Sequence, residues 1–407
     1  MADMFKDALK GIRICDFSWV WAGPYASSLL SYLGAEVIKI ESRGRVDQTR
    51  KGSIMNGDNF NGYDSSPTFN NANLNKQSVA VDITKPEGAE LAKKIVATCD
   101  IVIANMRPGK MDKLGLGYKD LVKVKPDIIM VESSGFGSTG PYKGFAGFAP
   151  IFASFGGLAY LTGYEDGTPN VMSGVQDMRV GTASAFIMIT ALINRKKTGK
   201  GTYIDLSSSE CLTDLCGPQM MDYVMNGRSP FRMGNQDDVM APHNVYRTKG
   251  EDSWVSIAVG NDAEWKALKE VMGSPEWAAD EKYDDELGRW QNRKEIDAHM
   301  TEWTVQYTSH EVTEMLQAAG VAAFPSMSAK EILDDPHTRA RDLFQTVDHP
   351  ALGEQVVMRP AWKLSGTPAR IRKPGPLLGE DNADVFGRQL GMSEEEIKKL
   401  EEEQIMW

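Results

Sequence analysis

The chain has 407 residues, room for two or three domains, and its 42% hydrophobic and 25% charged content is that of a globular protein with a large core. A net charge of −11 without any Lys/Arg run argues against a nucleic-acid binder. Cys15, Cys99, Cys211 and Cys216 match no CxxC or zinc spacing and read as buried free thiols, and the five histidines show no metal-ligand spacing. No apolar run is long enough to span a membrane, and the first residues lack a signal-peptide core, so the expectation is a cytoplasmic protein with no membrane partner and no metal.

In chain order, Ile12–Asp16 reads as a buried strand, 17–23 as a loop, and Tyr25–Leu33 as a helix with Pro24 at its first position and Gly34 as its stop. Glu36–Ile40 is the next strand, which completes a βαβ unit with a right-handed crossover. The pattern recurs with a strand at Ser78–Asp82, a helix at Pro86–Thr98 and a strand at Ile101–Ala104. Short helices at Met111–Leu114 and Tyr118–Val124 and a strand at Ile128–Glu132 follow. Alternation of this kind predicts an open α/β sheet. Past a long apolar helix, Thr202–Leu206 is another strand and Ser208–Met225 a helix.

The texture changes at Asn226–His243, which is rich in Gly, Asn, Asp and Pro and reads as a linker or active-site loop. Val245–Arg247 and Trp254–Val259 form a hairpin, and helices follow at Asp262–Met272, Arg293–Thr304 and Ser309–Ala319. The expected domains are 1–225, a smaller α+β domain at 226–330, and a return to the large domain at 331–407. The tail reads as helices and Pro-rich connections, with a capping box at Ser393/Glu396.

The long apolar helix carries a lone carboxylate, Asp177, at its head, in Ser173-Gly174-Val175-Gln176-Asp177-Met178. Val180–Ile193 is almost wholly apolar or small, Arg195, Lys196 and Lys197 sit in the last turn, and Gly199 ends it. That order reads as a buried helix with Asp177 at its N-cap, where the helix donors favour an ionised carboxylate. Capping alone is the bland role for such an acid; attack on a thioester is the functional one.

Gly135-Phe136-Gly137-Ser138-Thr139-Gly140 matches GxGxxG after a strand, but Pro141-Tyr142-Lys143-Gly144 follows where the dinucleotide fingerprint needs a helix. It reads as a turn whose backbone passes close to something. The first βα loop carries Trp19 and Trp21 where a dinucleotide site has glycines. Basic residues gather at Lys39, Arg43, Arg45, Arg50 and Lys51 and at Arg107, Lys110 and Lys113, enough for a local anion site on an acidic chain.

Gly11-Ile12-Arg13-Ile14-Cys15-Asp16-Phe17 with Ala22-Gly23-Pro24 resembles the opening of the class III CoA-transferases, the group of formyl-CoA transferase and carnitine CoA-transferase. Gly34–Glu41, Asn73–Lys76, Asn105–Gly109 and the Ser173–Asp177 stretch resemble the same family, as do Gly320-Val321, Asp335-Pro336-His337 and Pro376–Gly379. The resemblance implies a Rossmann-like large domain built from both chain ends, a small domain, and two chains threaded as an interlocked-ring dimer, either a homodimer or a heteromer with a paralogous subunit. It implies acyl-CoA as substrate with no permanently bound cofactor, and Asp177 as nucleophile. CoA would contact Trp21, Ala22, Ser42, Arg43, Asn73, Leu74, Asn75, Lys76, Asn105, Met106, Arg107 and Lys113.

Many members carry an acid and a glutamine where this chain reads Gly147–Ala153, and formyl-CoA transferase has glycines where it reads Gly234–Asp238. Both departures argue against formate or oxalate. Trp19, Phe148 and Phe152 suit a hydrophobic or aromatic acid, and the segment most resembles the succinyl-CoA:benzylsuccinate branch. The alternatives are an α-methylacyl-CoA racemase, which pairs the aspartate with a histidine where Phe148 stands here, and a non-catalytic partner subunit.

Overall fold

The structure is a computed structural model in which residues 7–51, 62–172 and 174–407 are described. These form two compact units, one of the described residues within 7–159, 171–228 and 337–407, the other of 160–170 and 229–336.

The larger unit is built on six parallel strands: β1 (Arg13–Asp16), β2 (Glu36–Glu41), β3 (Lys76–Ala80), β4 (Ile101–Ala104), β5 (Ile129–Ser134) and β6 (Thr202–Ser207). Their order, β3-β2-β1-β4-β5-β6, is that of a doubly wound dinucleotide fold. Its helices are α1 (Ala22–Tyr32), α2 (Pro67–Ala72), α3 (Pro86–Val96), α4 (Lys110–Lys113), α5 (Tyr118–Val124), α6 (Ala149–Phe155), α8 (Val175–Thr198), α9 (Ser208–Thr213) and α10 (Gly217–Asn226), while α7 (Leu158–Leu161) begins in this unit and ends in the other.

Strand residues alternate between two buried layers, as a sheet covered on both faces requires. Cys15, Ile38, Val79, Val102 and Met130 face α3 and α5, and Phe386 and Met406 from the far end of the chain close that layer. Ile14, Val37, Ile101, Ile103 and Val131 face α1 and α8, joined by Val347, Val357 and Ile371. Both ends of the chain therefore contribute to one core.

Several local expectations are corrected. Helix α1 opens at Ala22, so Pro24 is its third residue and not its first. The helix expected over 208–225 is interrupted by a 3-10 turn at Asp214–Cys216, where Gly217 and Pro218 restart it. The tail holds an antiparallel hairpin, β10 (Phe344–His349) with β11 (Gly353–Met358), where helices and connections are expected. The Ser393/Glu396 capping box is present.

In the smaller unit β7 (His243–Arg247) and β8 (Trp254–Ala258) form the expected hairpin, and β9 (Ala322–Pro325) adds a third antiparallel strand. Trp265, Tyr283, Ile296 and Leu316 fill its core.

Candidate functional site

In parallel doubly wound sheets ligands bind beyond the carboxyl ends of the strands where the order reverses, and here the order reverses between β1 and β4. The loop after β1 holds Trp19 and Trp21; the loop after β4 holds Asn105, Met106 and Arg107. The Asn105 amide clasps Trp19 from both sides, its Oδ1 accepting from the Trp19 N–H at 2.8 Å and its Nδ2 donating to the Trp19 carbonyl at 2.6 Å. Arg45 lies over the Trp19 ring, 4.9 Å from its centre. Trp21 caps α1 with its backbone, its carbonyl accepting from Tyr25 N–H at 2.8 Å, and Ala22 behind it is buried.

Helix α8 runs against the strands. Arg195 in its last turn pairs at 2.6 Å with Asp100, the residue before β4. A helix of 24 residues spans about 36 Å, much longer than the strands beside it, so its first turn reaches the carboxyl edge of the sheet. One turn beyond Asp177 on the same face, Gly181 meets α1: a Cβ there would lie 2.7 Å from the Ala22 carbonyl and 2.8 Å from the Tyr25 ring. The missing side chain lets the two helices close at this end.

The N-cap of α8 is Gly174, at φ +95°, which places Asp177 at the third helical position. No side chain caps the helix, and among the described residues the Asp177 carboxylate has no hydrogen-bond or ion-pair partner. The expectation of a carboxylate kept ionised by capping is therefore corrected: burial pushes its carboxyl above the usual aspartate range. Ser173 lies outside the described residues. The neighbouring Gln176 is buried, its Nε2 donating to the Val171 carbonyl while its Oε1 has no partner among the described residues. Nor is α8 buried all round, since Phe186 and Ile193 are exposed on its outer side.

The basic cluster divides in two. Arg43, Arg107 and Lys113 are exposed and unpaired among the described residues. Ser42 accepts from Gly44 N–H at 3.2 Å. Lys39 and Arg50, by contrast, are internal. Lys39 pairs with Asp47 at 3.3 Å, and Arg50 binds Glu41 and Asp64 with its plane 3.6 Å from the centre of the Phe69 ring.

The Asn73–Lys76 turn is equally committed to the scaffold. Lys76 is fully buried, donating to Asp16 at 3.0 Å, the Pro24 carbonyl at 2.8 Å and Asn73 Oδ1 at 2.9 Å. Asn73 and Leu74 are buried, and Asn75 binds the backbone of Arg370, Arg372 and Lys373. Met106 packs on the core. β3 opens at Lys76 beside Val37 at the start of β2, so Asn73–Asn75 lie toward the amino end of the sheet, and these side chains offer little surface to a ligand.

No helix opens at Gly140; the next, α6, starts nine residues later at Ala149. The backbone of the glycine loop passes close to Phe152, whose ring comes within 2.2 Å of the place a Cβ on Gly135 would take. Phe152 thus sits in a helix and fills a small aromatic cluster with Phe136, at 5.4 Å between ring centres. Phe148 is the N-cap of α6 and is 64% exposed. Asp47 and Gln176 escape a sequence reading because nothing in local spacing separates them from ordinary polar residues.

The profile of CoA-transferase family III matches residues 9–382. The chain is 33% identical to succinyl-CoA–D-citramalate CoA-transferase of Chloroflexus aurantiacus, over 98% of each chain. It is 33% identical to succinyl-CoA:glutarate CoA-transferase of Mus musculus, over 96% of this chain and 88% of that protein. A solved CAIB/BAIF family protein from Brucella suis superposes with a TM-score of 0.85 and 31% identity, covering 94% of this chain and 99% of that one. The chain belongs to CoA-transferase family III and is an enzyme of that class.

Proposed function

We propose that this chain moves CoA from succinyl-CoA to a dicarboxylic acid, with Asp177 as the nucleophile. The observation that supports the reading is a partly buried carboxylate, unpaired among the described residues, in the first turn of α8, one turn before Gly181 packs on α1. The Asp177 carboxylate oxygen attacks the thioester carbonyl and expels CoA thiolate, giving a mixed anhydride. The thiolate then attacks the aspartyl carbonyl, releases succinate and leaves an aspartyl-CoA thioester. The acceptor carboxylate attacks that carbonyl and expels the thiolate, which adds to the acceptor acyl group and restores Asp177. Partial burial favours the attack, because a poorly solvated carboxylate is the stronger nucleophile.

Arg43, Arg107 and Lys113 are the cations we assign to the CoA phosphates, being exposed and unpaired. Trp21, Ala22, Ser42, Asn105 and Met106 belong to segments that follow β1, β2 and β4, and of the Asn73, Leu74, Asn75 and Lys76 turn the Lys76 side chain reaches the start of α1 at the Pro24 carbonyl. Succinyl-CoA is named as donor in the relatives acting on citramalate and glutarate. The exposed Phe148 and the partly buried Trp19 support an acceptor with a hydrophobic or aromatic substituent, such as benzylsuccinate, itself a dicarboxylate. A racemase would need a titratable group where Phe148 stands.

The same reading includes a cytoplasmic location and an interlocked dimer. Helix α10 has no buried residue in the single chain, and Val224 and Met225 are 77% and 73% exposed, an apolar area that a second chain would cover. Related α and β subunits exist for the L-malate enzyme of Chloroflexus aurantiacus. Light scattering of the chain expressed alone separates a homodimer from one that needs a paralogue.

The deciding experiment incubates the enzyme with succinyl-CoA and a panel of acids and reads new acyl-CoAs by mass spectrometry, with hydroxylamine trapping at Asp177. Formation of a dicarboxylyl-CoA and a mass shift on the Asp177 peptide are expected. Full transfer by Asp177→Ala would sink the mechanism.

A further inference from the structure

Val20 is the one β-branched residue among the described non-glycine residues with positive φ that lies in the candidate site, at φ +67°. A left-handed conformation is costly for valine and persists only where the surroundings over-determine it. A loop that merely needed such a turn would carry Gly or Asn at little cost.

The surroundings do over-determine it. Both carboxylate oxygens of Asp47 accept from the Val20 N–H at 3.2 Å. Asp47 is itself fixed by Lys39 at 3.3 Å and by the Thr49 N–H and hydroxyl at 3.0 and 2.8 Å. Lys39 reaches past it to the Ser18 carbonyl at 2.6 Å. Asn105 then holds the backbone of Trp19 on both sides. The Lys39 and Asp47 side chains are entirely buried, whereas Trp19, Val20 and Trp21 are only partly so. A buried ion pair and a bidentate amide thus fix a segment, Trp19–Trp21, that belongs to neither core layer. With Arg45 seated on the Trp19 ring, the loop carries a cation and two indoles as one rigid unit.

We propose that Val20 is a positioning residue: its strained conformation, enforced by Asp47 and Asn105, presents Trp19 and Trp21 in the single arrangement that binds acyl-CoA. The inference rests on the reading that this edge receives CoA. A loop free to leave that arrangement loses affinity by the fraction of time it spends elsewhere.

The test measures CoA and succinyl-CoA binding by calorimetry in the Asp177→Asn background, where no turnover interferes. Val20→Gly is expected to fold with an unchanged or higher melting temperature, because glycine accepts this φ, and to bind CoA about fivefold more weakly or worse. In the otherwise intact enzyme the KM for acyl-CoA rises by the same factor while kcat stays within about twofold. Val20→Asn, which tolerates the left-handed region, is expected to keep wild-type affinity. Unchanged affinity in Val20→Gly, a loss of folding by it, or equal weakening by Val20→Asn each overturns the inference. A protein with Val20 intact that binds no CoA overturns the proposed function as well; one that transfers CoA while Val20→Gly binds normally overturns only this inference.

Discussion

Asp16 and Lys76 meet at 3.0 Å with neither side chain exposed, and the pair braces the start of α1 from within. Burial by itself would push the Asp16 carboxyl up, but Lys76 and Lys39, with hydrogen bonds from Ser18 and Ser27, hold it down at about 2. Removing one charge leaves the other buried and unpaired, so Asp16→Asn is expected to cost about 3–5 kcal/mol in urea unfolding. Adding Lys76→Met should recover part of that loss, and strictly additive losses would refute the coupling. The folded carboxyl lies below its ordinary value of 3.8. Its stabilisation is therefore complete above that pH and is lost as pH falls toward about 2. The gap between the native protein and Asp16→Asn should close over that window.

Asp177 has the opposite sign. Burial raises its carboxyl and no partner among the described residues offsets this, so the ionised folded state carries a penalty that is absent at low pH. The penalty grows as pH rises through the folded value. Asp177→Asn should therefore melt at the same temperature or higher at neutral pH while CoA transfer is lost. A drop of several degrees would mean that the carboxylate holds the fold. In the active enzyme, kcat/KM should fall on the acid side with an apparent pKa above the ordinary aspartate value of 3.8.

The proposed acceptor pocket has a clean probe in Phe148, which caps α6 and is 64% exposed. Truncating so exposed a side chain should change stability by less than about 0.5 kcal/mol. Phe148→Ala is expected to raise the KM for benzylsuccinate at least about fivefold more than that for glutarate, the loss of a hydrophobic contact worth about 1 kcal/mol. Equal effects on the two acids would remove Phe148 from the pocket.

Much of the larger unit was legible because its strands are buried on both faces and read as short apolar runs bounded by turn residues, as at Ile101–Ala104. The β10–β11 hairpin was not, because its outward positions include Val356 and Met358 and the alternation that marks a strand is blurred. In the site, Asp177 was visible as a lone acid heading an apolar helix, yet its cap position was misplaced by three residues. Gly174 opens the helix with backbone alone, and no side-chain bond marks the start. The second role of Asn105 was hidden for a different reason: it arises from a partner 86 residues away, which spacing along the chain cannot reveal.

The glycine loop after β5 yields a final test that separates steric need from backbone conformation. A methyl on Gly135 would lie 2.2 Å from the Phe152 ring, which is also hemmed in by Gly147, where a Cβ would be 2.6 Å away. A methyl on Gly140 meets nothing within 4 Å, but its φ of +78° disfavours any side chain. Gly135→Ala should therefore destabilise by about 1–3 kcal/mol through overpacking, and Gly140→Ala by about 1–2 kcal/mol through backbone strain alone. Phe152→Ala opens the space that the new methyl needs. It should rescue most of the Gly135→Ala loss and none of the Gly140→Ala loss when the double variants are compared by thermal unfolding. If Phe152→Ala rescues neither, the ring does not dictate the loop, and the glycines answer only to their own backbone angles.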